Sequence, residues 1–394
     1  MPQVDIDGLN STLKADVIRG QAATSTKLGG DLDLNGNDIT GTGSIPAVSA
    51  QKNIIINGNF DIWQRGTSFA AMADGTYTAD RWNYQKSGDM VHTISRDTDV
   101  PTVAESGMLS QYSIKIDCTT IDASIAASER CWLRYHVEGY DWSKIAQRAF
   151  TLSFWHKHTK TGTYCVGFRN NGGDRTYVTE YTQTTTDTWE KATINISASP
   201  SGGTWDYTNG IGLMLNWGLA TGSTFHATGD VWNSSNDFGT SNQVNACDST
   251  SNNFRIAQVQ LEAGSTATDF EIRNHATELA MCQRYFERLN KEGIANYIFG
   301  VGQFYSTTNG HICVHWNTEK RTTPTISWST YSNFQLTSST ASLLAVSTSM
   351  AANQVNVNNC KFIYTVASGG SAGNSTRLED DSGTNAYIDI AAEL

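Results

Sequence analysis

Residues Phe254 to Leu289, FRIAQVQLEAGSTATDFEIRNHATELAMCQRYFERL, decide how the rest of the chain is read. Phe254, Ile256, Gln258, Gln260 and Glu262 alternate with Arg255, Ala257, Val259 and Leu261. Val259 and Leu261 share a face, which predicts a half-buried strand. Gly264, Ser265 and Thr266 break that pattern, and Asn274 or Thr277 is placed to cap a helix. Leu279, Cys282, Phe286 and Leu289 then recur at steps of three, four and three, an apolar stripe at helical period. The stretch reads as strand, crossing and helix, with a large β-region before it and a smaller one after it.

The composition agrees with that frame. Gly occurs 34 times and Pro 5 times, 39% of residues are hydrophobic and only 16% are charged. Such a chain is turn-rich and all-β rather than disordered. A net charge of −11 leaves no basic footprint for nucleic acid. No apolar run is long enough to span a bilayer, so membrane insertion is not expected, and no secretion signal opens the chain. The seven cysteines, at 118, 131, 165, 247, 282, 313 and 360, show no CxxC spacing, which predicts mostly buried, reduced thiols and no metal site.

Four regions follow. Residues 1–52 hold a short helix candidate (Ile6, Leu9, Leu13, Val17) and the run LGGDLDLNGNDITGTGSI, where Leu32, Leu34 and Ile39 cannot bury themselves within so small a unit. Intertwined copies of the chain solve that problem. Asp31, Asp33, Asn35 and Gly36 match the first half of a calcium loop, but its twelfth position is Thr42 and no helix follows, so the alternating fibrous reading stands. Residues 53–274 carry many short strand candidates separated by turns, among them Asn53–Asn57, Thr76–Tyr84, Arg130–Val137, Phe150–His156 and Gly210–Gly218, the pattern of a sandwich or jelly roll. Residues 275–293 are the linking helix. Residues 294–394 resume alternation, including Gln354–Val357, as a smaller β-domain.

VQLEAGSTATDFE and ELAMCQRYFERL, with INGNFDIWQRG at 56–66 and Asp80-Arg81-Trp82 upstream, resemble the sandwich domain of bacteriophage tail-fibre proteins. LDLNGNDITG resembles their shaft and attachment segments. The resemblance implies a carbohydrate-binding-module-like jelly roll and a homotrimer. It implies a virion protein attached to another tail or baseplate protein through residues 1–52, and a host surface polysaccharide as target. Leu32, Leu34, Ile39, Leu279, Cys282, Phe286 and Leu289 are the expected trimer contacts. A connector or head-decorating fibre without receptor binding is the alternative role, and a glycan depolymerase is another.

Catalysis finds little support in the residues. Asp61, Asp74, Asp80, Glu129, Glu138 and Asp141 are acids from which a glycosidase pair would have to come. Neither a G-x-S-x-G elbow nor a β-helix repeat is present. His156 and His158 share a strand face with Leu152 and Phe154, which favours packing over metal binding. No catalytic residue, metal or cofactor is assigned. The aromatic residues carry more, because a flat ring stacks on the apolar face of a sugar. Trp63, Trp82, Trp132, Trp155 and Trp189 lie within strands and read as core. Leu219–Asn253 is long yet aromatic, the mark of a functional loop. Trp232 is the leading stacking candidate, with Asp230, Asn233 and Asn236 as polar companions and Phe238, Trp205 and Tyr207 nearby.

Overall fold

The computed structural model describes residues 52–290, 294–338, 344–381 and 385–394. Leu32, Leu34, Ile39 and the Asp31–Asn35 loop lie outside the described residues. Gln51–Leu394 form one compact unit, and it is all-β apart from short helices.

Its first part contains β1 (Ser68–Phe69), β2 (Thr76–Tyr77), β3 (Trp82–Ser87), β4 (Val91–Asp97), β5 (Ser113–Thr120), β6 (Arg130–Glu138) and β7 (Phe150–His158). It continues with β8 (Gly162–Arg169), β9 (Thr176–Gln183), β10 (Glu190–Ile196), β11 (Ile211–Thr221), β12 (Trp232–Asn233) and β13 (Asn253–Ala263). Two antiparallel sheets result, in the orders β1-β4-β5-β13-β7-β10 and β12-β9-β8-β11-β6-β3-β2. Alternation puts Ile94, Ile116, Leu152, Phe154, Phe254 and Ile256 on the inner face of the first sheet. Tyr84, Leu133, Tyr135, Val166, Phe168, Leu215 and Trp217 meet them from the second. Trp217 packs 5.3 Å from Trp82 and edge-on to Phe154 across the sandwich at 5.8 Å.

The histidines of β7 are packed, as the sequence suggests. His156 Nδ1 is 2.9 Å from Gln183 Oε1, and His158 stacks on Phe254 at 4.1 Å.

Two of the expected strands differ. Asn53–Asn57 is not a strand, because the Asn53 amide does the work of a backbone ladder. It donates to Val259 O (3.1 Å) and accepts from Leu261 N (3.0 Å). The chain then turns through Asn57 and Phe60 at positive φ. Gly58 lies so close to β13 that a Cβ there would stand 2.2 Å from Val259 O. The Thr76–Tyr84 candidate splits into β2 and β3 because Arg81, at φ 75°, closes a tight turn in which Trp82 N donates to Ala79 O.

Helix α1 (Val103–Ser106) and helix α2 (Gly139–Trp142) are single turns. The linking helix, α3, runs only from His275 to Gln283. Asn274 caps it by accepting from Ala276 N. The chain then becomes β14 (Phe286–Leu289), which pairs with a strand more than a hundred positions later. The three-four-three spacing therefore straddles a helix and a strand, and tertiary pairing overrides helical period. Cys282, Phe286 and Leu289 are buried inside their own chain, so they are not free to be trimer contacts; Leu279 is half-buried against Ile56, Ile62 and Tyr285.

The remaining strands are β15 (Ile298–Phe304), β16 (Asn309–His315), β17 (Thr325–Trp328), β18 (Phe334–Ser338), β19 (Leu344–Asn353), β20 (Asn359–Val366), β21 (Ser375–Asp380) and β22 (Ile388–Ala391). Six of them close a barrel in the order β15-β16-β20-β19-β18-β21, while β14, β22 and β17 form a small sheet. Gln354–Val357 is a turn, entered at Gln354 with φ 48°, rather than a strand.

The segments that resemble fibre proteins form the joint between sandwich and barrel. Asn57 Nδ2 donates to Ile62 O (2.8 Å) and Asp80 O (3.0 Å), and its backbone N–H donates to Glu278 of α3. Gln64 bonds the Asp80 carboxylate and donates to Phe286 O at 2.7 Å. Arg81, 1% exposed, lies 3.5 Å over the Tyr285 ring, pairs with Glu393 Oε2 at 2.6 Å and donates to His136 O at 2.6 Å. Trp82 Nε1 donates to Asn57 O. Glu138 receives Arg284 (2.8 Å) and the Tyr285 hydroxyl (2.5 Å). Asp80 and Glu138, offered above as acids for catalysis, are thus engaged in holding the parts together.

Candidate functional site

The long segment after β11 is strapped down rather than loose. Its bonds run from Ala227 N to Gly239 O (2.9 Å), Asp230 N to Val178 O (2.8 Å), Val244 N to Thr163 O (2.9 Å) and Ala246 N to Leu219 O (2.8 Å). β12 extends the seven-stranded sheet by pairing Trp232 with Tyr177 and Asn233 with Thr176. Instead of standing off the end of the sandwich, the segment adds an edge strand and folds across the sheet's outer face.

Trp232 gathers a row of aromatic rings. It packs 5.5 Å from Tyr177 and edge-on to Trp205 at 5.9 Å, and Trp205 stacks on buried Trp142 at 5.5 Å and 23°. Both indole N–H groups are already used: Trp232 donates to Ala198 O (2.7 Å) and Trp205 to Gly202 O (3.1 Å). What the two half-buried indoles still present to solvent is ring surface. The loop carrying Trp205 is locked to the loop after β8. Asp174 accepts from Asn170 Nδ2 (2.6 Å), Thr204 N (3.1 Å) and Thr204 Oγ1 (3.0 Å). Those bonds hold its carboxyl below the usual carboxylate range. Gly172 N donates to Thr204 O, and a Cβ on Gly172 would meet Thr204 at 2.3 Å. Exposed Tyr207 accepts a bond from Gln147 Nε2 at 3.5 Å.

The structure therefore joins Trp232 to Trp205, but it does not assemble the polar companions around them. Asn233 follows Trp232 on a strand and faces the other side of the sheet. Its amide donates to Thr228 O and Val231 O. Asp230 accepts from Thr179 Oγ1 at 2.7 Å, and Asn236 is exposed. Phe238, 2% exposed, is no stacking platform, because it is packed 4.6 Å from Trp132. The space for it exists because Gly167 has no side chain: a Cβ there would sit 3.0 Å from Phe238 Cα.

The outer face under and beside Phe238 is lined by residues that strand alternation could have shown in Arg130-Cys-Trp-Leu-Arg-Tyr-His136. Across it, Asn233, Thr176, Arg169, Met214 and His136 are register neighbours, and Arg134 lies beside Asn216 and Asn83. Arg134 Nε donates to Asn216 Oδ1 at 2.7 Å. Burial, then the nearby Arg169 and Arg130, push Arg134 down to about 10. Among the described residues, neither Arg134 nor Arg169 has a carboxylate ion-pair partner, and Arg169 Nε and Asn216 Nδ2 are buried without a hydrogen-bond partner. That leaves cationic donors on a chain whose net charge is −11. Trp205, Trp232 and Tyr177 form the candidate site, and the arginines lie on the opposite face of the same sheet.

No family model matches the chain, and no curated protein matches it. Among solved structures, the enzymatically active domain of tailspike protein 4 of bacteriophage CBA120 is similar at 14% identity and TM-score 0.28. The match covers 50% of this chain and 21% of that one. The family 11 carbohydrate-binding module of Clostridium thermocellum, solved with a β-1,3-1,4-mixed-linked tetrasaccharide, is similar at 12% identity and TM-score 0.27 over 51% of this chain and 99% of that one. TmCBM61, solved with β-1,4-galactotriose, gives 10% identity and TM-score 0.27 over 54% of this chain and 99% of that one. At such identities and scores these similarities decide nothing about what the chain binds.

Proposed function

We propose that this chain is an adhesin that binds a surface glycan without turning it over, as part of a phage tail fibre. The observation that carries the binding role is the Trp205–Trp232–Tyr177 row, backed by buried Trp142: the indole N–H groups of Trp205 and Trp232 are spent internally, and ring surface is what the sheet edge offers to a ligand. The tail-fibre setting is supported by the resemblance of residues 56–66, 80–82 and 254–289 described above. A shallow site of this kind binds at about millimolar affinity, near −4 kcal/mol. Three linked copies, repeated on a particle, would raise this by about 10²–10⁴. Leu32, Leu34 and Ile39, with half-buried Leu279, are the contacts left for that assembly, and sedimentation of the full chain should give three times 43.0 kDa. A stable monomer at micromolar concentration would contradict the trimer without touching the glycan reading.

Substituting Trp232 tests the site. Trp232→Ala removes a half-buried ring and its bond to Ala198, so a cost of about 2–3 kcal/mol is expected together with loss of glycan binding. Trp232→Phe keeps ring surface and should recover most of the binding. Titration of neutral and acidic host polysaccharides, with chain-length analysis for cleavage, reads both claims. Undiminished binding by a folded Trp232→Ala, Trp205→Ala double variant would place the ligand elsewhere, and shortened chains would replace adhesion by hydrolysis.

A further inference from the structure

Four soft ligands meet in the sealed interior of the sandwich, where nothing in their spacing along the chain announces them. His92 on β4 and Cys118 on β5 are register partners in one sheet. Cys131 comes from β6 of the other sheet, and Cys247 from the segment that returns to β13. All four are at most 3% exposed. One imidazole nitrogen of His92 and the sulfurs of Cys131 and Cys247 all lie within 4.8 Å of one another. Cys131 Sγ is 3.9 Å from Nδ1, and Cys247 Sγ is 3.8 Å from Nε2. Cys118 Sγ reaches Cys247 O at 3.7 Å.

We propose that His92, Cys131 and Cys247, with Cys118 as the fourth ligand, hold one structural zinc ion that ties the two sheets to the long segment carrying the candidate site. Thiolate and imidazole are the donors zinc selects, and a fully protein-ligated tetrahedral set is the form of a structural site. In such a site ligand atoms stand about 3.5–3.8 Å apart, so the spacings among His92, Cys131 and Cys247 close by about 1 Å at most, and Cys118, in register with His92, swings in as the fourth ligand. The other shell is also in place. The Tyr84 hydroxyl is 2.6 Å from His92 Nδ1, which fixes the ring and leaves Nε2 toward Cys247. Binding releases the thiol protons to solvent.

The test uses the full chain. After purification with zinc present and chelator absent, elemental analysis should find about one zinc per chain. Exchange to cobalt(II) should give the thiolate-to-cobalt charge-transfer absorption of a tetrahedral site. Cys247→Ser and His92→Phe should each lose the metal, whereas Cys165→Ser, at a buried thiol outside the cluster, should keep it. If the cluster variants do not fold, the native chain decides: chelator should strip its zinc and lower its melting temperature, and added zinc should restore both. A chain purified with zinc present that holds no metal and melts at the same temperature with and without chelator, or a Cys131–Cys247 disulfide found by mass, overturns the proposal.

Discussion

Lowering the pH from 7 to 5 is expected to weaken the fold by about 3 kcal/mol or more, because buried histidines are held neutral. Burial lowers His136 to about 3, helped by Arg134 and Arg81, and lowers His156 to about 4. His158 is pushed well below its ordinary value by burial and then by His156. Two ring nitrogens, His136 Nε2 and His158 Nδ1, are sealed without a partner. The sign follows from linkage. Below about 6.5 the unfolded chain takes up protons that the folded chain refuses, so stability falls as pH drops towards the folded values. At pH 5 that is about 2 kcal/mol each for His136 and His156, with His158 adding in the same direction. Asp80 opposes them. Burial raises its carboxyl to about 6, so protonation between pH 6 and 4 favours the folded state and returns about 1 kcal/mol. Denaturant titrations at pH 7 and 5 measure the difference. His158→Phe keeps the stack on Phe254 but cannot take a proton, so its loss on acidification should be smaller. Equal stability at the two pH values would show that these rings are not buried as described.

Glu287→Gln is expected to cost about 3–5 kcal/mol, the other large effect. Glu287 is 0% and Lys320 1% exposed; their side chains meet at 2.7 Å, and the carboxylate also accepts from Asn317 N (2.9 Å) and Nδ2 (2.6 Å). Removing the negative charge strands an ammonium inside the joint between β14 and the turn before β17. Replacing both partners, as Glu287→Leu with Lys320→Met, removes the stranded charge and should recover much of the loss. A remainder of about 1–3 kcal/mol should persist for Asn317, left without its acceptor. Thermal melts of the three proteins decide it. A single variant no weaker than the double would mean that the pair contributes little.

Where the chain alternates strongly the fold was legible, and where side chains replace backbone it was not. Phe150–His156 and Arg130–Val137 show period two with large apolar residues on one face, and both are strands. Leu344–Asn353, LAVSTSMAAN, went unread because its small and hydroxyl residues show little contrast between faces, though the barrel makes it a strand. Phe286–Leu289 continued a helical spacing by coincidence, and only its pairing with Ile388–Ala391 reveals the strand. At the site, an aromatic loop was visible, and so was the nearness of Trp205. That Trp232 and Asn233 point to opposite sides was not, because it depends on an edge pairing of two residues. The thiol cluster was invisible for the plainest reason: its members come from four separate parts of the chain, and only sheet packing brings them together.

The rim of the sandwich also sets a timetable. Tyr77, Arg65, Arg81 and His136 are closed over by Glu393 and Leu394, through bonds from the Tyr77 hydroxyl to Leu394 O, between His136 Nδ1 and Leu394 O, and from both arginines to Glu393. His136 lies 258 positions ahead of its partner. At about 5–20 residues per second of translation, roughly 13–50 seconds separate the emergence of the two. Throughout that interval the sandwich strands are available to pair while Arg81 lacks its counter-charge. A nascent chain therefore passes through a stage in which its larger half is assembled but unsealed, and a ribosome that stalls within the barrel leaves that half open to chaperones and proteases.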